Sequence, residues 1–378
     1  MKGTPSVPNP QLQVVHGNKS CWTEASHRRH GWHNLPRIAR YGLSFRSARV
    51  MQLESSPDAS IATRPQVQQL TSLPWFSGMV VVRGKQILFE RYATDFAPNQ
   101  LHSIQSITKT TINLIVGRLA EQGVLDLTRS VGEFLPEIGS GYAHATLQQV
   151  LNMDVVNSYS EDFSDSQATY YRHEEAMGWR LPHDPLHEMT ERSFLPTISS
   201  DGIENRERIA QYKDANTAVL GWVAERASGR PLRSFLAEIV DAAGLEDTFY
   251  ITSDRDGVPT LEGGACMSAR DLARYFSIFV RRGIGVGGER VGSEKFIDIP
   301  SGSGLPMPAP NQRVRYCNHL MRLDRAIGHG GWAGQYVLAN LDTGTIGVFL
   351  SVLENEHGSD PSYGALLVQM LESIVNRT

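Results

Sequence analysis

Within "LHSIQSITKT", residues 101–110, Ser106 and Lys109 place a hydroxyl and an amine three residues apart. On a helix this is nearly one turn, so the two side chains stand side by side, and a helix start adds unpaired N–H groups and a positive dipole end. A serine hydroxyl alone is a weak nucleophile at neutral pH. A neighbouring amine able to take its proton turns it into an attacking group, and its own N–H can help hold the oxyanion that forms. The same residues also read as a plain helix start capped by hydroxyls. Ser103 is the rival hydroxyl; position 106 denies it a lysine at the matching offset, which leaves it as the expected cap, with Thr108 and Thr110 on the helix face.

Two further stretches carry reactive groups. Tyr212-Lys213-Asp214 stands before an apolar-periodic segment. A phenol there can move a proton if a cation such as Lys109 keeps it partly ionised, and the competing reading is an aromatic at a helix entry. "IGHGGWAGQY", residues 327–336, sets His329, Gly330, Gly331 and Trp332 at the start of a strand. Its glycines leave the backbone bare for a substrate, and the Trp332 N–H is a candidate second oxyanion donor; the alternative is a glycine-rich strand entry with a surface histidine.

These groups need elements to hold them. "GMVVVRGKQILFERYA" gives two apolar runs around Arg83-Gly84-Lys85, a β-hairpin. Ile112, Ile115, Val116 and Leu119 follow helical spacing up to Gly123, which puts the Ser106 cluster at a helix N-terminus. A second helix runs through "NTAVLGWVAERASGRPL" and exits at Gly229 and Pro231. A third starts at Ser268, with Asp271 three residues on, and buries Leu272, Tyr275, Phe276 and Phe279. A hairpin about Asp342-Thr343-Gly344 and a helix carrying Leu367, Met370, Leu371 and Ile374 complete the chain. Strands at both ends with helices between them predict an α/β (α+β) fold: one mixed, mostly antiparallel sheet flanked by helices, with a mainly helical insertion. The expected division is a wrapping extension over 1–70, a sheet domain from 71–105 and 255–378, and a helical domain over 106–254, with the site at their interface.

A chain of 378 residues with 40% hydrophobic and 20% charged residues can bury a large core. A net charge of -4 argues against nucleic acid or an anionic membrane as partner and favours a small molecule. The odd number of cysteines, Cys21, Cys266 and Cys317, makes no complete disulfide framework or metal-like spacing. The N-terminus lacks an apolar run of signal-peptide length, and no stretch reaches the roughly 18–20 apolar residues of a membrane span. A cytoplasmic monomer or homodimer is expected.

Ser-x-x-Lys, then Tyr-x-Asp before a helix, then His-x-Gly on a late strand resembles the three-part pattern of the serine β-lactamase and penicillin-binding-protein superfamily. "EASHRRHGWHNLPRI", "YSEDFSDSQATYYRHEEAMGWR", "YKDANTAVLGWVAER" and "ACMSARDLARYF" are similar to its 6-aminohexanoate-dimer hydrolase and carboxylesterase branch. The resemblance covers most of the chain. It implies a β-lactamase-like fold and a covalent acyl-enzyme on Ser106, with Lys109 as proton acceptor, Tyr212 as shuttle to the leaving group, and no metal or organic cofactor.

Departures from the pattern shape the expected substrate. Asp214 replaces the usual asparagine, which would repel a penicillin carboxylate and pair with Lys109. His329 replaces a lysine and removes a permanent cation, favouring neutral or cationic substrates. Phe163 replaces a tyrosine whose phenol could bond the departing amine, which leans the reading towards esters over linear amides. Glu174 matches an aspartate that faces a substrate ammonium in the dimer hydrolases, and also reads as an exposed helix-end residue. Hydrolysis of small-molecule carboxylic esters, with linear amides as candidate further substrates, through an acyl-enzyme on Ser106 is thus the leading expectation. A 6-aminohexanoate-oligomer-type amidase, a β-lactamase or D,D-peptidase, and a catalytically silent cleft-binding relative are the alternatives.

Overall fold

The computed structural model describes residues 21–184 and 186–377. Residues 1–20 of the expected extension, including the segment read for a signal peptide, lie outside the described residues, as do Pro185 and Thr378.

The principal helices are α1 (Ala25–Ile38), α2 (Thr110–Glu121), α3 (Thr169–Ala176), α4 (Asp214–Ser228), α5 (Leu232–Ala243), α6 (Ala269–Val280) and α7 (Pro361–Val375). The strands are β1 (Gly42–Phe45), β2 (Glu54–Ser55), β3 (Phe76–Arg83), β4 (Gln86–Tyr92), β5 (His102–Ser103), β6 (Phe249–Thr252), β7 (Ala265–Met267), β8 (Leu305–Pro306), β9 (Arg315–Cys317), β10 (Leu320–Leu323), β11 (Ala326–Gly331), β12 (Gln335–Asn340) and β13 (Thr345–Ser351). They form a nine-stranded sheet ordered β2-β4-β3-β13-β12-β11-β10-β9-β8, antiparallel except for β2 beside β4. The expected mixed, mostly antiparallel architecture is therefore present.

Both faces of that sheet are covered, which explains why β3 reads as an unbroken apolar run rather than an alternation. Val80 and Val82 enter the cluster that holds Tyr275, Phe276 and Phe279 of α6. Met79 and Val81 point the other way, into the cluster with Trp32 of α1 and Leu367, Met370 and Leu371 of α7. The two expected hairpins are β3–β4, with Gly84 at φ 61°, and β12–β13, with Gly344 at φ 68°.

The expectation of a single sheet is incomplete. A second sheet, ordered β1-β6-β7-β5, is built from strands of only two to four residues, too short to show a period in the sequence. It matters because β5 leads directly into Ser106. The extension also contributes more than its weak periodicity suggests: β1 and β2 each join a sheet. In α1, Trp32 is fully buried and the Arg28 guanidinium donates to the Leu353 and Asn355 carbonyls at 2.6 and 2.8 Å. A buried arginine satisfied by carbonyls is core that hydropathy cannot detect. Among the described residues no helix is long and apolar enough to cross a membrane.

Candidate active site

The Ser106 turn is suspended between the two sheets. β5 pairs with β7, and the Ile104 N–H continues that ladder to the Ala265 carbonyl at 3.0 Å. Gln105 then takes φ 47°, a conformation costly for a residue with a side chain, and the chain enters a 3₁₀ turn over Gln105–Lys109 before α2 begins at Thr110. The sequence placed Ser106 on the α-helix itself. The tighter turn suits the chemistry better, because residues three apart eclipse in a 3₁₀ helix. Accordingly, Lys109 Nζ lies 2.8 Å from Ser106 Oγ.

Ser103 is not the helix cap. It belongs to β5, and its hydroxyl accepts a bond from Gln105 Nε2 at 2.7 Å, bracing the strained residue. Thr108 and Thr110 are buried and donate to the Gln105 and Ile107 carbonyls, so they lock the turn from inside rather than occupying an outer helix face.

Lys109 is fully buried, and each of its three ammonium hydrogens has an acceptor: Ser106 Oγ, the Glu262 carbonyl at 2.5 Å and the Asp214 carboxylate at 2.6 Å. The pairing expected of Asp214 is thus formed. Tyr212 comes from the segment before α4, with the Lys109 ammonium 5.0 Å from the centre of its ring. That geometry does not ionise the phenol. Burial first, then the Asp214 charge, push its pKa well above the ordinary value, and the neighbouring Ser106 hydroxyl only partly offsets this. The phenol is a neutral proton donor whose oxygen has no hydrogen-bond partner within bonding geometry.

β11 closes the other wall. A Cβ added at Gly331 would stand 2.7 Å from the Ile104 carbonyl, so the strand touches the nucleophile turn only because that residue is glycine. β10 pairs with β11 only as far as Gly328, which leaves the His329–Gly331 edge free of that neighbour. His329 itself is buried, not a surface residue. Its Nδ1 lies 2.6 Å from the Gly330 carbonyl and its Nε2 3.3 Å from the Tyr316 hydroxyl. Burial, then the Lys109 charge, lower its pKa to about 3, so the third motif supplies a neutral ring and no cation.

The cleft between these walls has a volume of about 680 Å³ and is lined by Ser106, Tyr212, Asp214, Phe163, Glu174, Gly330, Gly331 and Trp332. Phe163 stacks on Trp332, ring centres 6.0 Å apart and 27° between planes, so two distant segments meet at the cleft mouth. Glu174 is buried rather than exposed, and its carboxylate accepts a hydrogen bond from Arg180. That ion pair occupies the charge that was expected to meet a substrate ammonium.

Two acids escaped the sequence reading. Glu161 is half-buried and its carboxylate accepts from the Asp214 N–H at the start of α4; removal from water, then Asp214, raise its pKa to about 8. It lies inside the quoted phrase "YSEDF", but its partner is 53 residues away. Glu262, whose carbonyl holds Lys109, has both carboxylate oxygens buried without a partner. Burial chiefly raises its pKa to about 8, with Asp214 and Asp254 adding to the effect. Nothing in the spacing of "TLEGG" marks it.

Comparison with known proteins bears on the family and the fold. A family profile described as beta-lactamase matches residues 68–369. The 6-aminohexanoate-dimer hydrolase of Paenarthrobacter ureafaciens is 32% identical over 290 residues, covering 73% of this chain and 70% of that protein. Among solved structures, a Bacillus anthracis protein provisionally described as a 6-aminohexanoate-dimer hydrolase superposes with a TM-score of 0.82 at 18% identity over 98% of both chains. EstCE1, a hydrolase with promiscuous acyltransferase activity, superposes with a TM-score of 0.61 at 16% identity, over 83% of this chain and 98% of its own. The two structural likenesses speak for the fold alone; the profile and the sequence relative show that this chain belongs to the β-lactamase and penicillin-binding-protein superfamily of serine hydrolases, on the branch of the 6-aminohexanoate-dimer hydrolases and carboxylesterases.

Proposed function

We propose that the protein hydrolyses linear amides of small molecules, and esters at the same site, through an acyl-enzyme on Ser106. The observation that carries this reading is the three-way coordination of Lys109 by Ser106, Asp214 and the Glu262 carbonyl. A substrate that excludes water from the cleft lets the Lys109 proton pass along its 2.6 Å contact to Asp214, and the resulting amine takes the Ser106 proton as the hydroxyl attacks. The N–H groups of Ser106 and Trp332 hold the tetrahedral oxyanion, and the neutral Tyr212 phenol protonates the leaving group. Water then releases the acyl group by the reverse sequence of proton movements.

The relationship to a dimer hydrolase favours the amide bond over the ester as the bond normally cleaved, and so shifts the balance of the sequence expectation. Ester cleavage stays as the second reading because Phe163, against Trp332, brings no hydrogen-bond donor to the departing amine. Ser106→Ala is expected to abolish turnover of both a linear aminoacyl amide and a p-nitrophenyl ester with the fold intact; undiminished hydrolysis overturns the assignment. Phe163→Tyr is expected to raise the amide-to-ester ratio by about tenfold, since one well-placed donor contributes at that scale or above. An unchanged ratio removes the argument from the missing phenol.

A further inference from the structure

Behind β11 lies a second cavity of about 550 Å³ that the chemistry above does not use. It sits between the α7 face of the β10–β12 sheet and α7 itself. Strand register explains its floor: Met321 faces Gly328 and Gly328 faces Leu338, while Gly330 faces Tyr336, so bare glycines lie between large side chains. The helix wall is also cut low. Gly364, Ala365 and Val368 form one stripe of α7 over the cavity.

The cavity borders the catalytic cleft. Met307, Met321, Gly331, Trp332 and Tyr336 line both spaces. Gly331, which has no side chain, stands on the border between the free edge of β11 and the chamber. The charged groups around it are already engaged: Arg313 with Glu372 at 3.0 Å, and Asp360 with the Ser362 and Tyr363 N–H groups that it caps. Beside the neutral polar Asn311, Ser359 and Gln369, a ligand meets an apolar wall of Met321, Leu323, Leu338, Leu353 and Val368. The volume is within the roughly 300–1,000 Å³ of small-molecule sites.

From this shared border we infer that a substrate passes Gly331 into the chamber, that the chamber is an acyl-chain site and that the substrates are amides or esters of long, unbranched, uncharged aliphatic acids. This rests on the proposed acyl-enzyme reading. The leaving group must stand beside the Tyr212 phenol that protonates it, and Tyr212 lines the cleft but not the chamber. The acyl half is consequently the part that enters.

A p-nitrophenyl ester series from acetyl to decanoyl tests this. Wild-type kcat/KM is expected to rise about threefold for each methylene that enters the chamber, a little below the full transfer value of a buried methylene. Val368→Trp and, separately, Ala365→Trp fill the chamber from α7. Each is expected to cut the decanoyl rate at least tenfold and leave the acetyl rate unchanged. A second arm needs no turnover: methyl decanoate is titrated calorimetrically into Ser106→Ala, and binding is expected there and lost in Ser106→Ala/Val368→Trp. Acetyl turnover with no gain along the series and no effect of either tryptophan overturns the chamber while the hydrolase reading stands. Absence of any turnover together with decanoyl binding that Val368→Trp removes overturns the hydrolase reading and leaves the chamber.

Discussion

Replacing Glu262 by glutamine should stabilise the protein increasingly as pH rises from 5.5 to 7.5. The buried carboxyl has no hydrogen-bond partner on either oxygen and holds its proton to about pH 8, against 4.5 in the free side chain. Below about 4.5 the folded and unfolded chains both carry the proton, and Glu262 adds no pH dependence. Between 4.5 and 8 the unfolded chain releases a proton that the folded chain retains, so stability falls as pH rises, by at most about 1.4 kcal/mol per pH unit. Above 8 the loss is complete and constant. Glutamine is neutral throughout and removes that slope. Over two pH units the difference between variant and wild type should therefore grow by up to about 3 kcal/mol. With an unfolding entropy of about 2.1 cal/mol/K per residue over 378 residues, this corresponds to a widening of the Tm gap by about 3 °C. Thermal unfolding of both proteins by circular dichroism at pH 5.5 and 7.5, at one scan rate, measures it. Glu161 and Glu191 are raised in the same direction, chiefly by burial that the variant keeps, and the part of the Glu191 rise that comes from Glu262 disappears with it and widens the gap in the same sense. A Tm gap that is the same at both pH values refutes the reasoning.

Two other perturbations test the scaffold. Gly331→Ala forces a methyl group to within 2.7 Å of the Ile104 carbonyl and should displace the Ser106 turn, lowering kcat on any substrate by at least tenfold while circular dichroism stays native; an unaltered kcat removes the argument for close approach. Trp32→Ala empties a fully buried site between Trp22 and Trp332 and should cost about 3–5 kcal/mol, a fall in Tm of roughly 4–6 °C; a smaller fall means α1 contributes little to the core.

The catalytic candidates were legible because three short motifs had to occur in order: Ser106 with Lys109, Tyr212 with Asp214, and His329 with Gly331. Long elements were legible for the same kind of reason. Ser268, for example, does accept from the Asp271 N–H, although the Asp271 carboxylate turns instead to the N–H groups of Glu246 and Asp247. What stayed hidden depends on distance along the chain. The role of Glu161 exists only where α4 begins, the burial of Glu262 only where it meets Asp214 and Asp254, and the neutrality of Tyr212 and His329 only once water has left their surroundings. Strands as short as β5 and β7 carry too few residues for a period, so the sheet that holds the nucleophile turn had no signal of its own.

The reach of α1 to the far end of the chain has a kinetic consequence. Arg28 finds its acceptors at Leu353 and Asn355, and β3 takes β13 as its neighbour across a span of more than 260 residues. On a ribosome, α1 and β3 must therefore wait for residues 345–355 to emerge before either can complete its contacts. During that interval β3 presents an apolar edge to its surroundings. Folding of this protein should finish after synthesis rather than during it, and the yield of native protein should depend on how well the cell shields residues 76–83 until residues 345–351 arrive.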